Sequence, residues 1–600
     1  MPGRLISRKR SHKGKMSRSI LQKPRQKSNH SLIHSEDAIS PASFLKNHYF
    51  AYLLAALFSL LLPIILYHYR TLDNNALCRW PWVFADGPPL KSWALLLIIT
   101  LVAFFLASRS WPKNKPVFLF LSALIIGVSL WGEPEIIMDA SRYFTQAKYL
   151  EVNGISAFWH GWGNELSAWT DLPLVPFIYG LVLTVFGETR IFIQALTTLF
   201  FVGSVWFTYL LARDLWDEET GLLAGLLLLC YPYLLLNIPL MMVDLPTMFF
   251  MVLTVYTFCL ALQTDTPLPI LAAALAIFCT FWAKYSTWIL LSILPVIFLV
   301  YYKSDPQKTR RRAFYTITIT LVLILPLVIS LWEVINDQIR LLLDYQRPGL
   351  QKWSEGFIST FFFQIHPLVT LSALFGTWIA LRKKDRKFII PLYLIMVLVL
   401  VLQVKRIRYL MPIFPMLAIT AAYGLRQLAD QRLQRFLMLS TLGAALILTF
   451  GSYLPFTGQL SAANLKNGGR FLDTISPTSI AIYTVPQKAK DVNLKINVPI
   501  LDLFTQKKLY LLSDPAEQSP EVNQTSSFRF SWEQDLPDFY DPLPARPANG
   551  PDPLVIISSG PLTKLPPLIR EKMAGHRQVK SFNRSSGLFT YKTFVTIYYD

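Results

Sequence analysis

The stretch that decides the fold is MMVDLPTMFFMVLTVYTFCLALQ, residues 241–263. Asp244 stands near its start, and the run from 246 to 263 contains no acid. Wound into a helix, an apolar run of this length matches the hydrocarbon thickness of a bilayer. The Asp-Leu-Pro that opens it also reads as a helix start, with an acid as cap and proline at an early position. The stretch predicts a membrane-spanning helix with a single carboxylate at one end.

Comparable runs recur outward from it, at 50–67, 93–108, 117–131, 190–211, 221–237, 269–283, 286–302, 313–332, 357–381, 388–403, 410–425 and 436–454. They explain the composition: 600 residues, 53% hydrophobic, 14% aromatic, 16% charged, with mean hydropathy +0.39. Globular proteins carry about a quarter charged residues. The numbers exclude a soluble enzyme, a disordered chain and a collagen-like fibre. Cysteine adds nothing: Cys230, Cys259 and Cys279 lie in apolar runs, Cys78 is alone in a loop, and no spacing indicates zinc or a disulfide framework.

A further run, 172–187, is short, interrupted by Pro173, Pro176 and Gly180, and preceded by Trp159, Trp162 and Trp169. Charge decides its status. Lys+Arg 57 against Asp+Glu 37 gives +20, and the excess is concentrated before Glu36 and in the loops 303–312 and 382–387. Basic loops mark the cytoplasmic side, so this distribution is a topology signal and not a nucleic-acid footprint. If 172–187 crossed, the loop 303–312 would lie outside. If it lies along the interface, 303–312, 382–387 and 426–435 all fall inside with the basic N-terminus, and Trp-rich flanks suit that placement.

The expected fold is an all-α polytopic membrane protein with about thirteen transmembrane helices. Interfacial helices occupy its first large outer loop, and a small extracytoplasmic α/β domain follows at the C-terminus. The expected boundaries are a basic disordered cytoplasmic tail at 1–48, N-terminal membrane helices at 49–131 and an outer loop at 132–189. The main transmembrane module follows at 190–454 and the external domain at 455–600. Strand-like runs at 480–485, 554–557 and 593–598 lie in that last part, around a Pro-, Ser- and Asp-rich linker at 513–552. The expected location is a multi-pass integral one, in a bacterial cytoplasmic membrane.

Ionisable residues beside spans are costly and mark function. With this topology four groups fall on the outer face: Asp139-Ala140-Ser141-Arg142-Tyr143, Asp244, Lys284-Tyr285, and Lys405-Arg406-Ile407-Arg408-Tyr409. Singly, each has a plain alternative as helix cap, snorkelling anchor or interface aromatic. Together they supply what group transfer from a phosphate-activated donor needs. A carboxylate deprotonates an acceptor hydroxyl, and Arg and Lys hold the leaving phosphate. A lipid or lipid-linked sugar transporter is the competing class, and it would carry charges at mid-membrane depth, whereas the spans 246–263, 269–283, 313–332 and 388–403 have no acid. A structural scaffold, the third class, needs no acids at span ends.

The order of these features resembles the C-type superfamily of integral-membrane glycosyltransferases, in particular the protein O-mannosyltransferase and lipid A aminoarabinose transferase group. The motifs are Asp139 to Tyr143, Asp171-Leu172-Pro173-Leu174 through Phe186-Gly187, and Leu211-Ala212-Arg213-Asp214-Leu215-Trp216. Met241 to Pro246, Lys284-Tyr285 and Arg408-Tyr409-Leu410-Met411-Pro412 complete the series. The resemblance covers roughly 115–425. It implies inverting transfer from a polyprenyl-phosphate (dolichyl-phosphate-type) sugar to a hydroxyl of a lipid, protein or glycan on the extracytoplasmic face. Asp139 would be the general base, and Asp244 would orient the acceptor. Arg408, Lys284 and Arg142 would hold the donor phosphate, and Tyr143, Tyr285 and Tyr409 would bind substrate. No cofactor is required, although a divalent cation shared by Asp139 and Asp244 stays open. The chain departs from the group in carrying Ala140 where Glu usually follows the first Asp, in its single Pro173, and in the two additional spans 50–67 and 93–108.

Overall fold

The computed structural model describes residues 41–69, 83–84, 87–303, 305–347, 356–486, 492–512, 528–542, 552–562, 565–585 and 592–600. The N-terminal arm before residue 41, Cys78 and most of 513–552 lie outside the described residues. Residues 50–600 form one compact unit.

Each apolar run is helical. The first half comprises α1 (Pro41–Tyr69), α2 (Leu90–Leu106), α3 (Lys115–Ser129), α4 (Ala140–Gly161), α5 (Leu174–Phe186), α6 (Arg190–Leu215), α7 (Glu218–Leu228) and α8 (Pro232–Asn237). Then follow α9 (Asp244–Gln263), α10 (Pro267–Ala283), α11 (Ser286–Leu290), α12 (Ile293–Tyr302), α13 (Pro306–Ser330) and α14 (Trp332–Leu341). Beyond them lie α15 (Pro367–Lys383), α16 (Ile389–Met396), α17 (Ile407–Leu410), α18 (Phe414–Arg426) and α19 (Gln431–Leu448). Six helices are long and apolar enough to cross a membrane, and five more apolar helices are shorter, at 10–17 residues.

Proline explains where expected single spans break. The run 221–237 divides before Pro232, and 357–381 divides before Pro367. Tyr231 and His366 are extended there (φ −106, ψ 96 and φ −67, ψ 132), as a residue preceding proline prefers. Each proline then opens the next helix at a position whose N–H has no intrahelical partner to lose.

The two most buried of the six long helices are the continuous run Ile407–Arg426, with 89% of its apolar window inside the protein, and α9, with 78%. Helix α13 is peripheral by comparison, at 17%. Burial of the first depends on glycine. A side chain on Gly424 would collide with the backbone of Ser372, and one on Gly376 would meet Thr420 O and Gly424 N, so α15 and α18 cross backbone to backbone. At the start of these two central helices stand Arg408 and Asp244.

Helix α5 corresponds to the short run at 172–187. Its 13 residues are about 20 Å long, too short to span about 30 Å of hydrocarbon. It lies against α4, which approaches so closely that a side chain on Gly180 would meet Leu150 and Ala147 O.

Near the C-terminus five strands form one mixed sheet: β1 (Ser479–Thr484), β2 (Lys508–Leu511), β3 (Leu554–Ser558), β4 (Gln578–Phe582) and β5 (Phe594–Tyr599), in the order β2-β1-β3-β5-β4. The pairs β1/β2 and β1/β3 are parallel, and β3/β5 and β4/β5 antiparallel. The three strand-like runs are β1, β3 and β5. Strand β4 is almost wholly exposed and β2 is four residues long, so neither carries a readable alternation. Polar bonds tie this region to the helices: Lys148 Nζ to Asp502 Oδ2 at 2.7 Å, and Arg584 Nη1 to Gly458 O at 2.8 Å.

Candidate active site at the ends of two buried helices

Asp139 immediately precedes α4 and Asp244 is the first residue of α9, yet neither side chain caps its helix. The plain capping alternative is therefore not what these carboxylates do. Both turn to Arg408. Its Nη1 donates to Asp139 Oδ2 at 2.5 Å and its Nε to Asp244 Oδ2 at 2.9 Å. Lys284, between α10 and α11, donates to the other oxygen of Asp244 at 2.6 Å and lies 5.4 Å from the centre of the Tyr409 ring. Arg142 Nη1 reaches Asp139 Oδ1 at 3.4 Å. Its main partner is Asp171, which accepts from Nε at 2.8 Å and from Nη2 at 3.1 Å, and also from the Tyr143 hydroxyl at 3.2 Å. The Tyr285 hydroxyl donates to Gln338 Oε1, and Gln338 Nε2 donates to Asp171 O at 3.2 Å.

All eight residues singled out from sequence thus belong to one connected cluster. Within 405–409, Arg408 bonds the carboxylates, whereas Arg406 lies 5.5 Å from the centre of the Tyr409 ring. Asp139, Asp171 and Asp244 balance Arg142, Lys284 and Arg408 in formal charge. The two key carboxylates differ in access: the Asp139 side chain is 19% exposed and that of Asp244 1%. Burial alone would push the Asp139 carboxyl up, but Arg408 and Arg142 overcome it and hold the group below the usual carboxylate range. The Arg408 Nη2 makes no hydrogen bond to the described residues, and Lys284 Nζ makes one of the three it can donate. Beyond these bonds to the carboxylates, both cations keep hydrogen-bonding capacity that an oxyanion could use.

Asp171 as a partner of Arg142 and Tyr143 was not foreseen in the sequence, where it entered only as the start of a motif. A second network was missed entirely. Glu135, between α3 and α4, accepts from Arg190 Nε at 3.0 Å and Nη2 at 2.9 Å, and from the backbone N–H of Met241. Arg190 Nη2 also donates to Pro239 O at 3.1 Å, and Tyr179 donates to Met242 O at 2.8 Å. These bonds fix the turn 239–243, whose next residue is Asp244. The signal available was the same one that marked Asp244: a charge at the start of an apolar run.

A divalent cation would need several oxygen ligands. Asp139 and Asp244 already give oxygens to Arg408, and among the described residues no cluster of three or more His, Cys, Asp or Glu could hold a metal. In this structure the carboxylates of Asp139 and Asp244 are part of an ion-pair network.

The fold has counterparts among solved membrane proteins. Crystal structures of ArnT from Cupriavidus metallidurans, bound to undecaprenyl phosphate and in the apo state, superpose on the chain with a TM-score of 0.52 at 14% identity. The alignments cover 81% and 80% of this chain and 98% and 97% of those. The archaeal oligosaccharyltransferase AglB from Archaeoglobus fulgidus aligns at TM-score 0.43 and 14% identity, over 68% of this chain and 62% of that one. More particularly, residues 171–332 match the family described as dolichyl-phosphate-mannose-protein mannosyltransferase. That segment contains Asp171, Asp244, Lys284 and Tyr285, while Asp139 and Arg408 flank it. No curated protein matches the chain by sequence.

Proposed function

We propose that the chain is a membrane glycosyltransferase that moves a sugar from a polyprenyl phosphate to an acceptor hydroxyl, with inversion, on the extracytoplasmic face. The observation that carries the reading is Arg408 shared between Asp139 and Asp244, at the ends of the two most buried long helices. Asp139, the more exposed carboxylate, takes the proton of the acceptor hydroxyl. The acceptor oxygen forms a bond to the anomeric carbon from the face opposite the phosphate, and the bond from that carbon to the phosphate oxygen breaks. Arg408 and Lys284 hold the departing polyprenyl phosphate and its added charge.

The same pairing links donor binding to basicity. While Arg408 bonds Asp139, the carboxylate is a weak base. A donor phosphate that draws the guanidinium towards itself relieves Asp139 of that partner and raises its affinity for a proton. The acceptor is thereby activated when the donor is in place. Asp244 keeps Lys284 and Arg408 from leaving altogether, and in this reading no step passes through a metal.

ArnT was crystallised with undecaprenyl phosphate, which supports a lipid phosphate as the donor's carrier here. The proposal keeps thirteen crossings with α5 lying along the interface and the N-terminus in the cytoplasm, since that topology puts Asp139, Asp244, Lys284 and Arg408 on the outer face. The transporter alternative calls for charges at mid-span, whereas Asp244 and Arg408 sit at the starts of their helices. The test is incubation of the purified chain with a panel of polyprenyl-phosphate sugars. Release of polyprenyl phosphate from one of them, lost in Asp139→Asn, is expected. Unimpaired release by that variant would sink the assignment.

A further inference from the structure

Beside the cluster, on the far side of Asp171, lies a cleft of about 840 Å3 to which the proposed chemistry has so far given no role. Helix α14, the end of α13, the end of α4 with the α4–α5 connection, and Glu533 and Asp535 line it. Gln338 belongs to its wall and donates to Asp171 O; Asp171 in turn clamps Arg142, which reaches Asp139. A hydrogen bond and two successive ion pairs therefore link the wall of the cleft to the carboxylate assigned as base. The size is that of a ligand pocket.

The lining has a distinct chemistry. Trp159, Trp162, Trp169 and Trp332 contribute indole surface, and Glu333, Asp337, Glu533 and Asp535 contribute carboxylates, of which Asp337 pairs with Arg340 and Glu533 with Arg529. Among the described lining residues there is no Lys or Arg. Glu333 and Asp535 form no ion pair among the described residues, so their charge is not neutralised locally. The catalytic cluster is the reverse, with Arg142, Lys284 and Arg408 gathered where a phosphate leaves. A phosphorylated molecule is attracted to the cluster and repelled by the cleft.

Resting on the function proposed above, we infer that this cleft is the acceptor subsite and that the acceptor presented there is a saccharide without phosphate. Flat indoles accept the C–H faces of sugar rings, and ionised carboxylates accept hydrogen bonds from sugar hydroxyls without offering any back. Trp332, the first residue of α14, is 61% exposed and serves as the outer platform rather than as an anchor among lipid headgroups.

The inference is tested by binding, without any donor. The full chain in lipid nanodiscs is titrated with maltotetraose, mannotetraose and chitotetraose, followed by indole fluorescence and saturation-transfer NMR. Phosphorylated maltotetraose and tetralysine serve as comparison ligands. At least one neutral tetrasaccharide is expected to saturate, at least tenfold more tightly than the phosphorylated sugar. Trp332→Ala and Glu333→Gln/Asp337→Asn should each weaken it at least tenfold, while Trp378→Ala, which is not in the lining, leaves it unchanged. The inference is overturned by no binding of any neutral tetrasaccharide, by binding indifferent to the cleft variants, by tighter binding of the phosphorylated sugar, or by saturation with tetralysine alone. Saccharide binding without any sugar transfer would instead count against the proposed function and leave the cleft as a saccharide site.

Discussion

Two arginines, Arg408 and Arg190, each begin or nearly begin a buried helix and each meet carboxylates, but they are used in opposite ways. Arg190 commits all its nitrogens: Nε and Nη2 to Glu135, Nη2 also to Pro239 O, and Nη1 to Trp131 O at 3.4 Å. Its carboxylate partner is wholly buried. Arg408 divides itself between two carboxylates from separate elements, keeps Nη2 unspent, and has one partner open to solvent. A saturated network has nothing to offer a substrate and holds backbone in place. An unsaturated one can exchange a protein oxygen for a substrate oxygen with little reorganisation, which is what electrostatic catalysis needs.

The largest expected effect tests the unsaturated side. Asp139→Asn removes the proposed base while Arg408 keeps Asp244. Transfer should fall about 10²- to 10⁴-fold, the usual worth of general-base assistance, with little change in melting temperature. Arg408→Lys keeps the charge, but a single ammonium cannot reproduce a fork that spans two carboxylates. Turnover should fall by at least about tenfold, read as release of polyprenyl phosphate under saturating donor. If both variants lost their fold instead of their turnover, the contrast with Arg190 would disappear.

Glu135→Gln should behave in the opposite sense. It leaves the Arg190 guanidinium buried without its counter-charge, a change that typically costs about 3–5 kcal/mol. The melting temperature should drop, and the turn 239–243 should loosen because Glu135 also accepts from Met241 N–H. Molecules that remain folded should retain measurable transfer, with kcat reduced more than donor KM is raised. A variant of full stability and no activity would place Glu135 among the reacting groups and break the comparison.

Much of the Arg408 cluster is legible in the sequence because its members are charges at the ends of apolar runs, and a topology built only from basic loops puts them together. Arg190 stands visibly at the start of an apolar run, but its partners are hidden for a physical reason. The network's bonds join Glu135 to a side chain 55 residues away and to a backbone amide 106 residues away, and backbone partners leave no mark on side-chain pattern. Asp171 is similar: its role depends on the fold of α4 beside it and not on its neighbours in sequence. Helix identity is readable in the apolar runs, though not in α14, and helix continuity is not. The extended residues before Pro232 and Pro367 divide runs that hydropathy joins. Strand β4 owes its place to pairing with β5 rather than to any buried face.

The smallest effect concerns a third cluster, between the helices and the sheet region. Lys148 Nζ lies 2.6 Å from Glu188 and 2.7 Å from Asp502, and the Tyr540 hydroxyl donates to Asp502 at 2.7 Å. Asp502 is almost fully buried, and burial pushes its carboxyl up to about 6 despite the pull of Lys148. For an acid raised in the folded state, the folded chain holds a proton that the unfolded chain has released. The resulting stability is present below the ordinary value of 3.8 and is lost as pH rises through about 6. Other buried carboxylates contribute to the total, so the informative quantity is the difference between wild type and Asp502→Asn, which cannot ionise. Melting temperature measured from pH 4.5 to 7 should decline more steeply in wild type than in the variant, while transfer per folded molecule changes less than about twofold. Parallel melting profiles would show that Asp502 does not titrate in this window, and a large loss of transfer would make this cluster, like that of Arg408, part of the chemistry rather than of the scaffold.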